Sequence, residues 1–205
     1  MADALLLQVA EQILPRAKFL LGFVGLLWLL ELVDSLLLRG ALNRYGIRPR
    51  RLIGLRGIIF APLLHGDLGH LSANTLPLLV LGGLILLSGG QTWALVTVLV
   101  WLIGGLGVWL IGQPRSNHIG ASGIVFGYLG FLLMRGYVDR SPGAIALAVL
   151  AGLLYGSTLW GIFPLRRGRS WQGHLLGFVV GGLTARELPL LQQTLEVVLQ
   201  RWANL

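Results

Sequence analysis

The chain of 205 residues contains no cysteine, one lysine and only eight carboxylates. Without cysteine there is no disulfide framework, no thiolate zinc or iron–sulfur centre and no thiol nucleophile. Charged residues make up 12% of the chain, against about a quarter in soluble globular proteins, and the mean hydropathy is +0.78. An ordinary soluble domain is excluded. Six spans of about 20 residues, each able to cross a hydrocarbon core about 30 Å thick, leave too little chain for a separate soluble domain. The charge that exists is one-sided: fifteen arginines and Lys18 against eight acids give a net charge of +8. The arginines stand between apolar blocks and not along an amphipathic face, which points to membrane lipids with anionic head groups as partners and not to nucleic acid.

Residues 1–18 carry two acids before the first base and no small-residue cleavage site, unlike a secretory signal peptide, and are expected to remain as an N-terminal segment. Phe19–Leu38 reads as the first span. Glu31 and Asp34 interrupt it, and their position before an arginine-rich loop predicts pairing with Arg39 or Arg44. Leu68–Ser88, Thr92–Gly112 and Gly143–Phe163 each run 21 residues without a formal charge. Ile119–Met134 and Trp171–Ala185 stop at 16 and 15, short of the usual minimum of about 17. The expectation is therefore an all-α, polytopic membrane protein: a six-transmembrane-helix bundle over 19–187, four spans of ordinary length and two stunted. In the tail, 188–205, Leu191, Leu195, Val198, Leu199 and Trp202 recur at helical spacing, the pattern of an amphipathic helix at the interface.

Polar side chains inside a bilayer are costly, so their positions carry the functional information. His65 and His70 precede or begin span two, His118 precedes span four, and His174 begins span six. Successive spans alternate direction, so these starts share one side of the membrane. Asn74 follows His70 by four residues and stacks on the same helix face. Ser122 lies in Gly120-Ala121-Ser122-Gly123 at the start of span four. Gly123, Gly127 and Gly130 form a smooth stripe there, and Gly173, Gly177 and Gly181 form another on span six; stripes of small residues let helices approach closely. Packed together, they bring Ser122 beside His174.

A serine hydroxyl needs an adjacent base to become a nucleophile, and His174 is of the right type. The His70 side chain, the Asn74 amide and the Ser122 backbone N–H are donors suited to an oxyanion. Asp67 is the only acid near this layer, so the pattern reads as a Ser–His dyad and not a triad. Taken singly, a serine among glycines is a packing residue, and a transmembrane His–Asn pair is a cross-link between helices. A metal or haem site built from the four histidines competes with the nucleophilic reading. No HExxH signature is present, and only Asp67 lies within four residues of a histidine, so no metal and no cofactor is expected. His65 and His118, nearer the loops, read as wet, structural or supporting residues. Gly152, Gly156 and Gly161 give span five a loosely packed face.

The stretch Arg56–Asn74, with its His-x4-His-x3-Asn arrangement, resembles the first loop and second helix of the rhomboid intramembrane serine proteases. Gly120-Ala121-Ser122-Gly123 with Phe126 and Gly127 resembles their nucleophile motif, and Trp171-Gln172-Gly173-His174-Leu175-Leu176-Gly177, followed by Gly181, resembles their sixth helix. The similarity runs from about Arg39 to Ala185. It implies a Ser122–His174 dyad, an oxyanion site that includes His70 and Asn74, and cleavage of the transmembrane segments of other proteins. It further implies that Phe126 packs on the His174 ring, with Gly120, Gly123 and Gly177 in support. Gly173 stands where many members have Ala, and the first loop is unusually rich in Arg; neither departure removes a catalytic group. Non-catalytic rhomboid-like proteins that only bind transmembrane segments form a third class, and loss of Ser122 or His174 would have signalled it.

Orientation sets two arguments against each other. The side carrying the starts of spans two, four and six holds Arg39, Arg44, Arg48, Arg50, Arg51, Arg56, Arg115, Arg166, Arg167 and Arg169, against six Lys and Arg on the other. Taken alone, that count places the candidate site in the cytoplasm. The bacterial rhomboid resemblance implies the reverse, a cell-membrane protein with cytoplasmic termini. Without the first loop the balance is four against six, and Arg16 and Lys18 lie directly before the first span. Cytoplasmic termini are the expectation.

Overall fold

In the computed structural model the described residues are 2–165 and 170–203, with side chains from Leu14 onward; Arg166, Arg167 and Arg169 lie outside them. Four helical stretches are long and apolar enough to cross a membrane: Leu14–Leu38, Leu68–Leu86, Gly90–Ile111 and Pro142–Ile162. Two further helices, Ser122–Asp139 and Trp171–Arg186, pack against each other among them, an arrangement that fits six spans. The molecule is an all-α membrane protein, and its described residues form no strand beyond a single antiparallel bridge between Ile47 and His118.

Helix α1 (Ala2–Val33) starts well before Phe19 and continues through a π-helical turn, Asp34–Leu38. The chain then reverses at Arg39 (φ 53°) and Gly40 (φ 78°). The pairing of Glu31 and Asp34 with Arg39 or Arg44 does not occur. Both carboxylates are buried, and nearer donors satisfy them: Ser35 Oγ donates to Glu31 at 2.7 Å, and the Leu42 N–H donates to Asp34 at 2.8 Å. Asp34 thereby caps the 3-10 turn Ala41–Tyr45 that opens the first loop.

That loop holds a short helix α2 (Arg56–Phe60) and is moored along the third span. The Trp109 indole donates to the Arg51 carbonyl, the Trp101 indole donates to the Ile58 carbonyl, both at 2.9 Å, and an Arg50 guanidinium N–H donates to the Leu110 carbonyl at 2.8 Å. Helix α3 (Leu68–Leu86) begins at Asp67, whose carboxylate caps it by accepting the His70 N–H at 2.7 Å. The third span is α4 (Gly90–Leu99), a π-helical turn (Val100–Gly104) and α5 (Gly105–Ile111).

Helix α6 (Ser122–Asp139) starts three residues later than the apolar run at Ile119 suggests, because Gly120 takes φ +110°, outside helical space. It also runs past Met134, since Arg135 pairs with Asp139 one turn on at 2.5 Å and so carries its charge to the helix end. Residues Ile124 to Leu132 are buried without a break; a helix buried all round is the centre of its bundle. The Thr97 hydroxyl donates to the Trp93 carbonyl at 2.6 Å, so the Tyr128 hydroxyl is the donor in its 2.7 Å bond to Thr97.

Helix α7 (Pro142–Tyr155) is peripheral, burying only Ala151, and tightens into a 3-10 segment, Gly156–Ile162. Helix α8 (Trp171–Arg186) packs along α6, and α9 (Leu188–Ala203) folds back so that Gln192 donates to Thr92 at the start of α4, at 3.2 Å. Leu190, Val198, Leu199 and Trp202 of α9 are exposed.

The α6–α8 seam is glycine against carbonyl. A Cβ on Gly177 would overlap the Gly123 carbonyl, one on Gly181 the Gly127 carbonyl, and one on Gly130 the Phe178 carbonyl. Gly127 meets the second stripe only through its carbonyl, since its own open side faces Val100 of the π-helical turn. Backbone cannot give way as a flexible side chain can, so Gly177→Ala and Gly181→Ala are each expected to lower thermal stability in detergent by about 1–3 kcal/mol. Gly25→Ala, where no atom lies within 4 Å of the new methyl, is expected to leave the melting temperature unchanged or slightly raised. Equal melting temperatures for all three would show that the seam does not set the helix spacing.

Candidate active site

Ser122 is the first residue of α6 and His174 lies in the first turn of α8. The glycine seam brings the two helix starts together at one depth, and His174 Nε2 lies 2.9 Å from Ser122 Oγ. The other ring nitrogen, Nδ1, lies 2.9 Å from the Gly161 carbonyl oxygen. A carbonyl only accepts, so Nδ1 carries the proton and donates to it. In the neutral ring, Nε2 therefore offers its lone pair to the Ser122 hydroxyl. The His174 ring stacks on Phe126, centroids 4.2 Å apart and planes within 7°. Phe126 stands one turn along α6 from Ser122, so ring and hydroxyl are positioned by the same helix.

Gly161 was expected on a loosely packed face and is not there. Its missing Cβ would stand 3.0 Å from Phe126 and 3.3 Å from His174 Nδ1, whereas Gly156 has nothing within 4 Å and Gly152 only an ordinary contact with Leu133. The 3-10 segment presses Gly161 onto the His–Phe stack, and its backbone oxygen does the orienting. No side-chain pattern announces a backbone acceptor, which is why the sequence does not reveal it. The only clue is the absence of an acid near His174.

The opposite wall comes from α3 and the loop before α6. Gly120 is held by its N–H to the Ala61 carbonyl at 2.8 Å, and a Cβ there would strike the His70 ring at 2.6 Å. At φ +110° only glycine is comfortable, so the same residue makes the turn into α6 and admits His70. The Gly66 N–H points to His70 Nδ1 at 3.5 Å, which leaves Nε2 as that ring's donor. Asn74 is buried, and its Nδ2 has no hydrogen-bond partner. The Ser122 N–H, at the first position of α6, has no intrahelical acceptor. The His70 ring lies against Gly120, two residues before Ser122.

His65 and His118 brace this layer and are buried, so the wet reading fails for both. His65 Nε2 accepts the Ala121 N–H at 3.3 Å; burial, with the His70 ring beside it, pushes its pKa down to about 4. His118 spans the two halves of the site. Ser116 Oγ donates to the Gln113 carbonyl, so it accepts from His118 Nε2 at 2.7 Å, and His118 Nδ1 accepts from Ser170 Oγ at 2.6 Å. Ser170 immediately precedes α8 and its carbonyl takes the His174 N–H at 3.1 Å. Burial holds His118 below its ordinary pKa, which keeps it in the neutral form this directional chain requires. Beside Ser122 lies a cavity of about 50 Å³, with Ala61, Pro62, His118, Ser170 and Gly173 in its wall. Among the described residues no group of three or more His, Asp or Glu side chains is arranged to hold a metal ion.

Comparison with known proteins agrees with the geometry. The Rhomboid domain family model matches residues 54–188. The uncharacterized proteins Rv1337 of Mycobacterium tuberculosis (strain ATCC 25618 / H37Rv) and Mb1372 of Mycobacterium bovis are each 47% identical over 174 residues, covering 81% of this chain and 72% of the relative. The uncharacterized protein ML1171 of Mycobacterium leprae is 46% identical over 175 residues, covering 81% and 68%. With helices that span a membrane, a serine and a histidine in hydrogen-bond contact at the starts of two packed helices, and a family match over most of its length, this chain belongs to the rhomboid family of intramembrane proteases.

Proposed function

We propose that the protein is a serine endopeptidase that cleaves transmembrane segments of other membrane proteins with Ser122 as nucleophile and His174 as general base. The observation that carries this reading is the 2.9 Å contact between Ser122 Oγ and a His174 Nε2 left basic by the bond from Nδ1 to Gly161. Ser122 Oγ adds to the scissile carbonyl carbon as its proton passes to Nε2. The carbonyl oxygen becomes an oxyanion facing the Ser122 N–H, the Asn74 amide and the His70 side chain. Collapse of that intermediate breaks the C–N bond, and His174 returns the proton to the leaving amine. Water then repeats the sequence on the acyl-enzyme and releases the acid. A cavity of 50 Å³ exceeds the roughly 10–15 Å³ that one water requires, and Ser170 and His118 in its wall supply polar partners. Residues 19–187 form the membrane domain in this reading, with 1–18 and the α9 tail as flanking segments.

Ser122→Ala and His174→Ala are each expected to lower cleavage of a transmembrane reporter in proteoliposomes by at least about 1,000-fold. The double variant should be little worse, because the two groups act as a unit. A fluorophosphonate should modify Ser122 alone. Cleavage that survives in Ser122→Ala ends the serine-protease reading.

Asn74 Nδ2 has no partner to lose, so Asn74→Ala should leave the melting temperature unchanged. Its turnover should fall about 100-fold, or about 3 kcal/mol, at nearly constant KM, the loss typical of one oxyanion donor. If the variant chiefly unfolds, Asn74 is a structural residue instead.

We further propose that both termini are cytoplasmic and that Ser122 faces the outer side of a bacterial cell membrane. The support is Arg16 and Lys18 at the N-terminal end of the first membrane-crossing stretch, Leu14–Leu38, together with a first loop that is moored along the third span and so is no ordinary translocated linker. A reporter fused after Leu205 and active only in the cytoplasm should give signal in intact cells. Signal from an export-dependent reporter at the same position would reverse the topology.

A further inference from the structure

Between Asp34 and Asp67 the chain carries six arginines and no acid. None of the six takes part in an ion pair among the described residues, whose two pairs are Arg135–Asp139 and Arg186–Glu187. Two of the six meet at one ring. The Arg56 guanidinium carbon lies 4.4 Å from the centroid of Tyr45 and that of Arg44 lies 5.1 Å from it. Neutral groups hold them there: Arg56 donates to the Arg44 carbonyl at 3.4 Å, and Arg44 donates to the Tyr45 hydroxyl at 3.3 Å. The Arg56 Nε is buried without a partner. A ring face attracts a cation but does not neutralise it, and a buried, unmatched guanidinium N–H is a free-energy cost. An anion would remove both deficits.

The same loop shows what kind of anion fits. Leu52 is 82% exposed, Ile53 and Ile59 are each 50% exposed and Phe60 is 45% exposed. Apolar tips beside unpaired cations are the pattern of a segment seated at the boundary between head groups and acyl chains. Three hydrogen bonds from or to Trp101, Trp109 and Arg50 fix the loop on the third span, so the arginines are presented on a fixed frame. Guanidinium groups match phosphate oxygens in planar, charge-assisted hydrogen bonds. Two cations with no carboxylate nearby select a head group of net negative charge, because nothing there would pair with the ammonium of a zwitterionic lipid. Among the other described residues this combination does not recur: Arg135 is already matched by Asp139, and Arg140 stands alone over Tyr137 at 5.8 Å.

We propose that Arg44, Tyr45 and Arg56 form a binding site for the phosphate of an anionic phospholipid, with the acyl chains lying along the apolar tips of the first loop. The site gives two of the six arginines on this loop a role other than fixing topology. It sits on the face of Ser122, since the Ala61 carbonyl that follows α2 holds Gly120, and Ile47 is bridged to His118.

The test uses the full-length Ser122→Ala protein in neutral detergent, so that proteolysis plays no part and failure of the protease reading leaves the result intact. Retention of added phosphatidylglycerol and phosphatidylcholine is measured by native mass spectrometry. One phosphatidylglycerol should bind on the order of tenfold more tightly than phosphatidylcholine, the scale of one charge-assisted contact. Arg44→Gln with Arg56→Gln should abolish that preference, Arg56→Lys should keep most of it, and Arg140→Gln should not alter it. Should the double variant fail to fold, the exposed Arg44→Gln alone carries the test, with a preference reduced severalfold. A preference unchanged by these variants, or no preference in the parent, overturns the proposal. Displacement of the lipid by inorganic phosphate at equal concentration overturns it too, since the site would then read phosphate and not lipid.

Discussion

A hydrogen bond between side chains as short as serine and histidine forms across two helices only if their backbones nearly touch. At the α6–α8 seam, Gly177 and Gly181 lie where a single methyl would overlap the carbonyls of Gly123 and Gly127. Van der Waals packing and not hydrophobic exclusion drives association within a bilayer, so a flat glycine surface over two turns serves as both adhesive and ruler. The remaining site geometry follows from that separation. Phe126 lies one turn along α6 and reaches the His174 ring because the helices are this close. The Val100 side chain fills the open side of Gly127, so the π-helical turn of the third span is part of the same packing solution. The bundle is organised around α6, whose run of buried residues from Ile124 to Leu132 has no lipid-facing side.

The second constraint is polar satisfaction away from bulk water. Two of the buried histidines, His118 and His174, are held in neutral, directional arrangements in which each nitrogen has a different task. In His118 the direction is set by Gln113, whose carbonyl takes the Ser116 hydroxyl proton and forces that oxygen to accept from Nε2. In His174 it is set by Gly161. A protonated ring in either position would lose an acceptor on which its neighbours depend, and burial keeps His65 and His118 from protonating near neutral pH. Two nitrogens are exceptions, His65 Nδ1 and Asn74 Nδ2, each buried without a hydrogen-bond partner. An unmatched buried donor is a free-energy cost, and for Asn74 the oxyanion of the proposed reaction would offset it.

How much of this could be read beforehand depended on whether side chains or backbone carry the feature. The long apolar runs, the glycine seam and the meeting of Ser122 with His174 were legible because each is a matter of residue type at a fixed spacing. The boundaries of the central helix were not. Arg135 ends an uncharged run in sequence, yet in space its charge is met by Asp139 one turn away, and a paired charge does not end a helix. At the other end a glycine dihedral, invisible in composition, moved the start of α6 to Ser122. Glu31 and Asp34 pointed to the arginines by charge, but in a buried corner a hydroxyl and a backbone N–H were closer and better aimed. Gly161 was misplaced because a glycine with open space and one pressed against a ring look identical in sequence.

The dyad proposed for Ser122 and His174, which has no carboxylate, is the arrangement that membrane depth favours. Removing a carboxylate from water costs several kcal/mol even after relaxation, and the cost is recovered only with a well-matched partner. A neutral imidazole does not provide one while the enzyme rests. The Gly161 carbonyl accepts the same Nδ1 proton, selects the same tautomer and brings no net charge with it. What is given up is the stabilisation that a carboxylate lends to the imidazolium formed during attack. Ring stacking on Phe126 compensates for part of this, since a cation held over an aromatic face is favoured, more so when desolvated. The Phe126–His174 stack at 4.2 Å is therefore more than packing in the proposed reaction: like the Nδ1–H bond to Gly161, which becomes charge-assisted, it is a contact whose attraction grows as His174 takes the proton from Ser122.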